Sequence, residues 1–306
     1  MRSMPAAEIS VDEDLVAALI AEQYPALAGL PLQQVASHGW DNTVFRIGRE
    51  FTARLPRRAA AASLIQHESR WLGELSRQVT MPVPVPVHAG SPGSGYPWHW
   101  SINRWVPGSP VGVEPFSDPV LSATAITAFL DALHRPAPLD APANKHRGVP
   151  LAARRRTFQA HCELLHRGGR DVRPLIASWQ QLTRAPRYRG PRVWLHGDFH
   201  GANILAHDGW LSGVIDFGDV TSGDPAVDLS VAWMLFGSDD EREPLRLAAD
   251  RHGPGTWRRA QAWALALGAA MTAHSADNPL LRQIGERTLD AATVPGASAA
   301  RRRRIT

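Results

Sequence analysis

The chain has 306 residues, 44% of them hydrophobic, enough for one large domain or two modest lobes around a shared cleft, with no apolar run near the ~20 residues of a membrane span. Its formal net charge of +4 is carried by arginine, Lys145 being the only lysine, and discounting the arginine run at 301–304 leaves a charge near zero, which argues against general nucleic-acid binding. The single cysteine, Cys162, allows no internal disulfide, and Glu8, Asp12 and Glu13 fall where an export signal would be apolar, so a cytoplasmic protein with no membrane partner is expected.

In chain order, the residues 10–13 (Ser-Val-Asp-Glu) have the form of a capping box, with Leu15, Ala18 and Leu19 following at helical spacing, so a first helix is expected to about Tyr24 and Pro25. Three short strands are predicted over 32–37, 43–47 and 50–55, with turns at 39–42 and 48–49. The alanine-rich stretch 59–77 predicts a helix. The alternating prolines of 81–87 impose an extended chain, because proline lacks a ladder donor and fixes its backbone angle. A strand over 98–106 ends at Pro107-Gly108. Beyond Pro110 helices are predicted over 117–134, 151–167 and 172–182, with 137–150 as the longest surface loop. A hairpin of 203–206 and 211–215 turns at His207-Asp208-Gly209, and helices return at about 225–236, 240–252, 255–274 and 279–291. The basic tail 295–306 is expected to be solvated and frayed.

The chemistry concentrates in two segments. Residues 194–203 read W-L-H-G-D-F-H-G-A-N and residues 214–219 read V-I-D-F-G-D. Asp198 five residues before Asn203 places both on one loop. The carboxylate can accept a proton from an attacking hydroxyl, and the amide oxygen can take Mg²⁺. Asp216, at the end of the next strand, offers a second anionic Mg²⁺ ligand of the kind bridging phosphates require.

H-G-D-x-x-x-x-N, then I-D-F-G-D, then G-D-P-A-V-D-L at 223–229 resemble the aminoglycoside phosphotransferase family, kinase-like enzymes that include antibiotic and metabolite kinases. The match is strongest over 195–229. The resemblance implies an α+β, two-lobed protein-kinase-like fold. A small, mostly antiparallel β lobe would span 1–106, with a hinge near 103–106, and a larger helical lobe would span 107–306. It implies ATP or GTP with Mg²⁺ as cofactors, Asp198 as the catalytic group, and Asn203 and Asp216 as metal ligands. Asp219 could touch metal or loop backbone. His196 is expected to brace the loop and His200 to be structural. Gly197 stands where regulated protein kinases carry arginine, which implies an enzyme that is always on. Asp224 suits a helix cap, and Asp228 a brace for the catalytic loop.

In the small lobe, residues 39–43 (Gly-Trp-Asp-Asn-Thr) lie where the family's nucleotide loop would be, making Asn42 and Thr43 candidate phosphate contacts, although G-x-G-x-x-G is absent. Arg54 stands where kinase relatives usually have lysine, and its planar fork suits phosphate. Glu68 on the following helix is its expected partner, with Arg57 or Arg58 as alternative phosphate contacts. Asn103 to Trp105 are placed at the purine-facing hinge.

The acceptor, a small molecule with a free hydroxyl, is most readily an antibiotic of aminoglycoside or macrolide type. Asp239 and Asp240 are candidates for holding a polycation, and Trp233 for lining an apolar groove, but a solvated helix face and core packing explain the same residues. A metabolite kinase and an idle nucleotide-binding module stay open, and the sequence gives no oligomeric state.

Overall fold

The structure is a computed structural model and describes residues 6–35, 41–112 and 116–295. Helix α1 (Glu13–Gln23) starts at Asp12, whose side chain accepts from Leu15 N at 2.9 Å. The cap is therefore Asp12 and not Ser10, because Asp12 is the residue that sits three before an otherwise unpaired helical amide. Val16, Leu19 and Ile20 form its buried stripe.

Strands β1 (Leu32–Gln34), β2 (Asn42–Ile47) and β3 (Phe51–Pro56) follow. The β2–β3 hairpin turns at Gly48, whose φ of +55° explains a glycine there. Helix α2 (Ala59–Leu75) buries Ala61, Ile65, Glu68, Trp71, Leu72 and Leu75, so one carboxylate lies in an otherwise apolar stripe. Strands β4 (Pro86–Gly90) and β5 (Trp100–Arg104) complete an antiparallel sheet of order β1-β2-β3-β5-β4. The proline-rich stretch before β4 also bonds outside this sheet, with Val214 N donating to Pro82 O at 3.0 Å.

The two-residue strand β6 (Ser109–Pro110) leads to helices α3 (Pro119–Leu133), α4 (Leu151–Arg167) and α5 (Arg173–Leu182). Strand β7 (Val193–Leu195) precedes the first motif, and β8 (Ile204–His207) and β9 (Trp210–Val214) form the expected hairpin. Its turn residues Asp208 and Gly209 both have positive φ, the demand of a tight two-residue hairpin loop. A 3₁₀ turn, Phe217–Asp219, leads into β10 (Thr221–Gly223), which pairs with β7.

The helix expected over 225–236 is two pieces, α6 (Ala226–Leu229) and α7 (Val231–Leu235), broken at Ser230. The Ser230 hydroxyl donates to Val227 O at 2.6 Å and so competes with the helical ladder. Helices α8 (Asp239–Ala248), α9 (Pro254–His274) and α10 (Pro279–Ala292) follow. Among the described residues no helix is long and apolar enough to cross a membrane.

Two apolar cores result. One lies between α1 and the five-stranded sheet, around Leu19, Phe45, Leu55 and Trp100. The larger gathers the helices around α9, which is buried on nearly every side, and also takes in Trp71, Leu75 and Val83. The architecture is α+β and kinase-like: an antiparallel sheet with its helices, set against a larger helical body.

Candidate active site

Between sheet and helices lies a cleft of roughly 380 Å³, whose walls include Val44, Arg54, Trp105, Asp198, Asn203, Asp216 and Asp219. Two short loops build its floor. The first joins β7 to β8 and is pinned from beneath by Asp228, which is fully buried and accepts from His196 N and Gly197 N, both at 2.9 Å, and pairs with His134 Nε2 at 3.1 Å. Asp228 is thus the brace of this loop. His196 is likewise buried; its Nδ1 accepts from Asp198 N, so its Nε2 carries the hydrogen toward Ile215 O at 3.0 Å. That bond ties the first loop to the second, residues 215–219.

Asp198 is gripped at both oxygens. Arg147 Nη2 donates to Oδ1 at 2.7 Å, and His200 Nε2 lies 3.1 Å from Oδ2. His200 Nδ1 accepts from Ala202 N, which leaves the Nε2 hydrogen for the carboxylate. Burial works to raise the Asp198 pKa, but His200 and Arg147 more than offset it and hold the group well below the usual carboxylate range. Asn203 donates Nδ2 to Asp198 O at 2.9 Å, which leaves its Oδ1 as the remaining acceptor.

Asp216 has a left-handed backbone, φ 64° and ψ 66°, a strained choice for a residue other than glycine. Its Oδ1 accepts from Arg54 Nη2 at 2.7 Å. The Nη1 of Arg54 reaches Glu68 Oε1 and Oε2 at 2.6 and 2.7 Å, so one guanidinium joins strand β3, helix α2 and the second loop. Burial pushes Glu68 up to about 7, against the pull of Arg54. Arg54 is held above its ordinary value: burial would lower it, and Glu68 and Asp216 outweigh that. Asp219 Oδ1 accepts from Asn144 Nδ2 at 2.6 Å; burial raises its pKa, only partly offset by Arg147.

The available donors, Asn203 Oδ1 and Asp216 Oδ2, are both hard oxygens flanking one space. That set fits Mg²⁺, which keeps most of its shell for water and phosphate oxygens.

The other sequence-predicted residues divide. Asn42 lines the cleft and Thr43 does not; Gly39 and Trp40 lie outside the described residues. Asn103 is fully buried within β5, outside the cleft lining, and turns its amide to Glu68 Oε1 at 3.4 Å. Arg104 N and Trp105 N are spent on Val85 O and Glu50 O, so these donors of the expected hinge are engaged already. Trp105 does line the cleft, beneath the Arg46 guanidinium. Asp239 and Asp240 stand in the first turn of α8, outside the cleft lining, where Asp239 pairs with Arg242 at 3.0 Å. Trp233 is buried against Trp257 and Arg242, also outside the lining. Core packing decided its position, as it does for most large aromatics in a helical body.

Sequence reasoning missed Arg147, Asn144 and the contact of His200 with Asp198. The stretch 137–150 is irregular, as expected, but it is not merely surface: Thr221 Oγ1 donates to Pro142 O, and Asn144 Oδ1 accepts from His146 N and Arg147 N. A cluster of polar side chains ahead of a glycine was the only signal there. Asp41 was not singled out either; it lines the cleft and pairs with Arg58 at 2.6 Å.

The model of the phosphotransferase enzyme family matches residues 33–263. No curated protein sequence matches the chain. Solved structures of similar fold include the GDP complex of wild-type aminoglycoside 2'-phosphotransferase-IIIa, 17% identical, with a TM-score of 0.66 over 92% of this chain and 99% of that one. Macrolide 2'-phosphotransferase type I is 19% identical, with a TM-score of 0.60 over 94% and 98%. The apoenzyme of macrolide 2'-phosphotransferase MphH from Brachybacterium faecium is 21% identical, with a TM-score of 0.56 over 93% and 99%. At such identities the shared property is the fold.

Proposed function

Because the chain belongs to the phosphotransferase enzyme family, we propose that it moves the γ-phosphoryl group of ATP or GTP, with Mg²⁺, onto a hydroxyl of a small-molecule antibiotic. The observation that carries this reading is the convergence of Asp198, Asn203 and Asp216 on one cleft, with Arg54 held between Glu68 and Asp216 at its inner wall. In this reading the nucleotide lies between the sheet and the helical body, and residues 103–106 link the two. Arg54 meets its phosphates, and Asn203 Oδ1 and Asp216 Oδ2 hold the metal. Mg²⁺, when bound, would supply positive charge that offsets the charge of the phosphates. Asp198 orients the acceptor hydroxyl and takes its proton. A carboxylate held so low is a weak base, which suits a transfer in which the proton leaves late.

The acceptor end of the cleft favours a molecule with a broad uncharged face. Ala202, Leu267, Ala270, Met271 and Leu281, all from the helical body, line the cleft, and this reading places the acceptor against them. The four lining aspartates are each beside an arginine: Asp41 with Arg58, Asp198 and Asp219 with Arg147, Asp216 with Arg54. A polycation would find no unpaired carboxylate among them, so a macrolide-type acceptor fits better than an aminoglycoside.

The test is nucleotide consumption with Mg²⁺ and ATP or GTP across macrolides, aminoglycosides and common hydroxylated metabolites, with Asp198→Ala as the blank. Acceptor-dependent turnover is expected, reduced at least ~10³-fold in the variant, within the range for losing a positioned acid–base group, while nucleotide affinity stays nearly intact. Turnover surviving in Asp198→Ala would overturn the assignment.

A further inference from the structure

Arg147 lines the cleft and touches Asp198, and its arrangement is that of a group waiting for an anion. Its side chain is 17% exposed, with Nη2 2.7 Å from Asp198 Oδ1 and 3.9 Å from Asp219 Oδ2. Its Nε is buried with no hydrogen-bond partner. A buried N–H left unpaired costs free energy, and the planar fork of arginine makes Nε and one Nη a matched pair of donors for two oxygens of a phosphate. Among the described residues the cleft lining holds two further arginines, and neither pairs with Asp198. Arg54 is held between Glu68 and Asp216, and Arg104 leans outward to Glu50 and the face of Phe51.

Position matters as much as pairing. A hydroxyl oriented by Asp198 sits ~3 Å from its carboxylate, and the phosphorus it attacks is ~3 Å further on. A guanidinium already in contact with that carboxylate therefore reaches the equatorial oxygens of the group in transit. The segment that carries it is built rather than loose. Asn144 fastens it to Asp219, and Gly148, with φ +62°, presses so close to Ser222 O that a Cβ there would lie 2.6 Å from it.

Resting on the function proposed above, we infer that Arg147 is a catalytic residue that leaves Asp198 to clasp the γ-phosphoryl group during transfer, an arginine supplied from the chain's own 137–150 segment. In that step the acceptor oxygen forms its bond to the γ-phosphorus, and the bond from that phosphorus to the β–γ bridging oxygen breaks. The electron pair leaves with the nucleoside diphosphate, and the hydroxyl proton passes to Asp198. Moving Arg147 onto phosphate frees Asp198 Oδ1 for that proton. Charge spread over the three equatorial oxygens is the burden such an arginine relieves.

The experiment measures binding of the Mg²⁺ diphosphate nucleotide, ADP or GDP as the wild type prefers, alone and with aluminium fluoride, which mimics the planar phosphoryl group. Wild type, Arg147→Ala, Arg147→Gln and Arg147→Lys are compared after their melting temperatures are checked. Arg147→Gln guards against a variant that fails to fold, since it keeps a polar side chain of similar reach. Diphosphate affinity is expected to stay within about twofold in all four, whereas the extra affinity given by aluminium fluoride should fall at least ~10²-fold in the alanine and glutamine variants and recover in part with lysine, a conservative figure beside the ~10³–10⁵ that a transition-state arginine supplies. A purely structural Arg147 would weaken both complexes together. Equal gain from aluminium fluoride in wild type and variants overturns the role of Arg147 and leaves the kinase reading standing. Wild-type protein that binds neither diphosphate overturns both.

Discussion

Arg54 carries two separable duties at the level of single residues. Its partner Glu68 is 1% exposed, so removing the guanidinium strands a carboxylate in the apolar stripe of α2. Breaking a buried ion pair on one side costs ~3–5 kcal/mol, while replacing both partners by apolar groups of similar volume is often neutral. Arg54→Ala should therefore lower the melting temperature, and the loss should deepen with pH. Glu68 already sits at about 7 against an ordinary 4.5, and without Arg54 it rises further. A raised carboxyl gives stability that is present below the unfolded value and lost as pH climbs through the folded one. The double variant Arg54→Met, Glu68→Leu should recover most of the melting temperature. It should not recover nucleotide binding, which should be at least ~10-fold weaker than wild type for want of a charge-assisted phosphate contact. Melting curves at pH 6 and pH 8 beside nucleotide titrations check this. Normal affinity in the double variant would remove Arg54 from the phosphate site.

At the level of elements, the catalytic loop and the 215–219 loop meet through Gly197. Its φ is +85°, and a Cβ there would stand 2.4 Å from Asp219 O. No side chain fits, which is a physical reason why this loop lacks the arginine that regulated protein kinases carry at the position. Gly197→Ala should cost about 1–2 kcal/mol in backbone conformation alone, plus displacement of Asp219. The turnover number should fall with the melting temperature. Gly73→Ala is the control: it lies within α2 with nothing near its Cβ, and should raise stability by roughly 0.5–1 kcal/mol. Gly197→Ala with wild-type turnover and melting would mean that the loops do not need this close approach.

The same loops show what a sequence exposes. Asp198 and Asn203 are five residues apart, and the β8–β9 hairpin is fixed by its own turn, so both are legible from local spacing. Helix α9 and the strands flanking the motifs announce themselves by their apolar runs. The contact between Arg147 and Asp198 joins residues 51 positions apart through an irregular segment, and nothing periodic marks it. Asn103 reads as a hinge residue by order along the chain, but the register of β5 against β3 turns it toward Glu68. Trp233 illustrates the opposite limit: periodicity places it on an apolar face without saying whether that face is a groove or a core.

For the whole molecule, α9 is the axis on which the helical body packs, and acid should loosen it there first. His161 on α4 faces His274 on α9, with ring centroids 5.0 Å apart, and its Nδ1 is buried without a partner. Burial, then the neighbouring charges of His274 and Arg154, depress His161 to about 4. His252, just ahead of α9, is brought to about 4 by burial and by Arg251, His134 and Arg259. A depressed imidazole gives stability that is fully present above the unfolded value near 6.5 and is lost as pH falls through the folded one, roughly 3 kcal/mol for the buried His161 and less for His252, which solvent screens. Glu68 works in the opposite sense between 4.5 and about 7, and Asp198, being held low, matters only below the ordinary carboxylate value of 3.8. The wild-type curve is therefore a difference of terms, and a single substitution isolates one of them. His161→Gln should melt lower than wild type at pH 8, where it loses a packed ring, and should lose less on going from pH 6.5 to pH 4.5. Convergence of the two melting curves toward acid is the expected signature. Parallel curves across that window would mean that His161 is protonated in the folded protein as readily as in the unfolded chain, and that the α4–α9 interface holds its charge without cost.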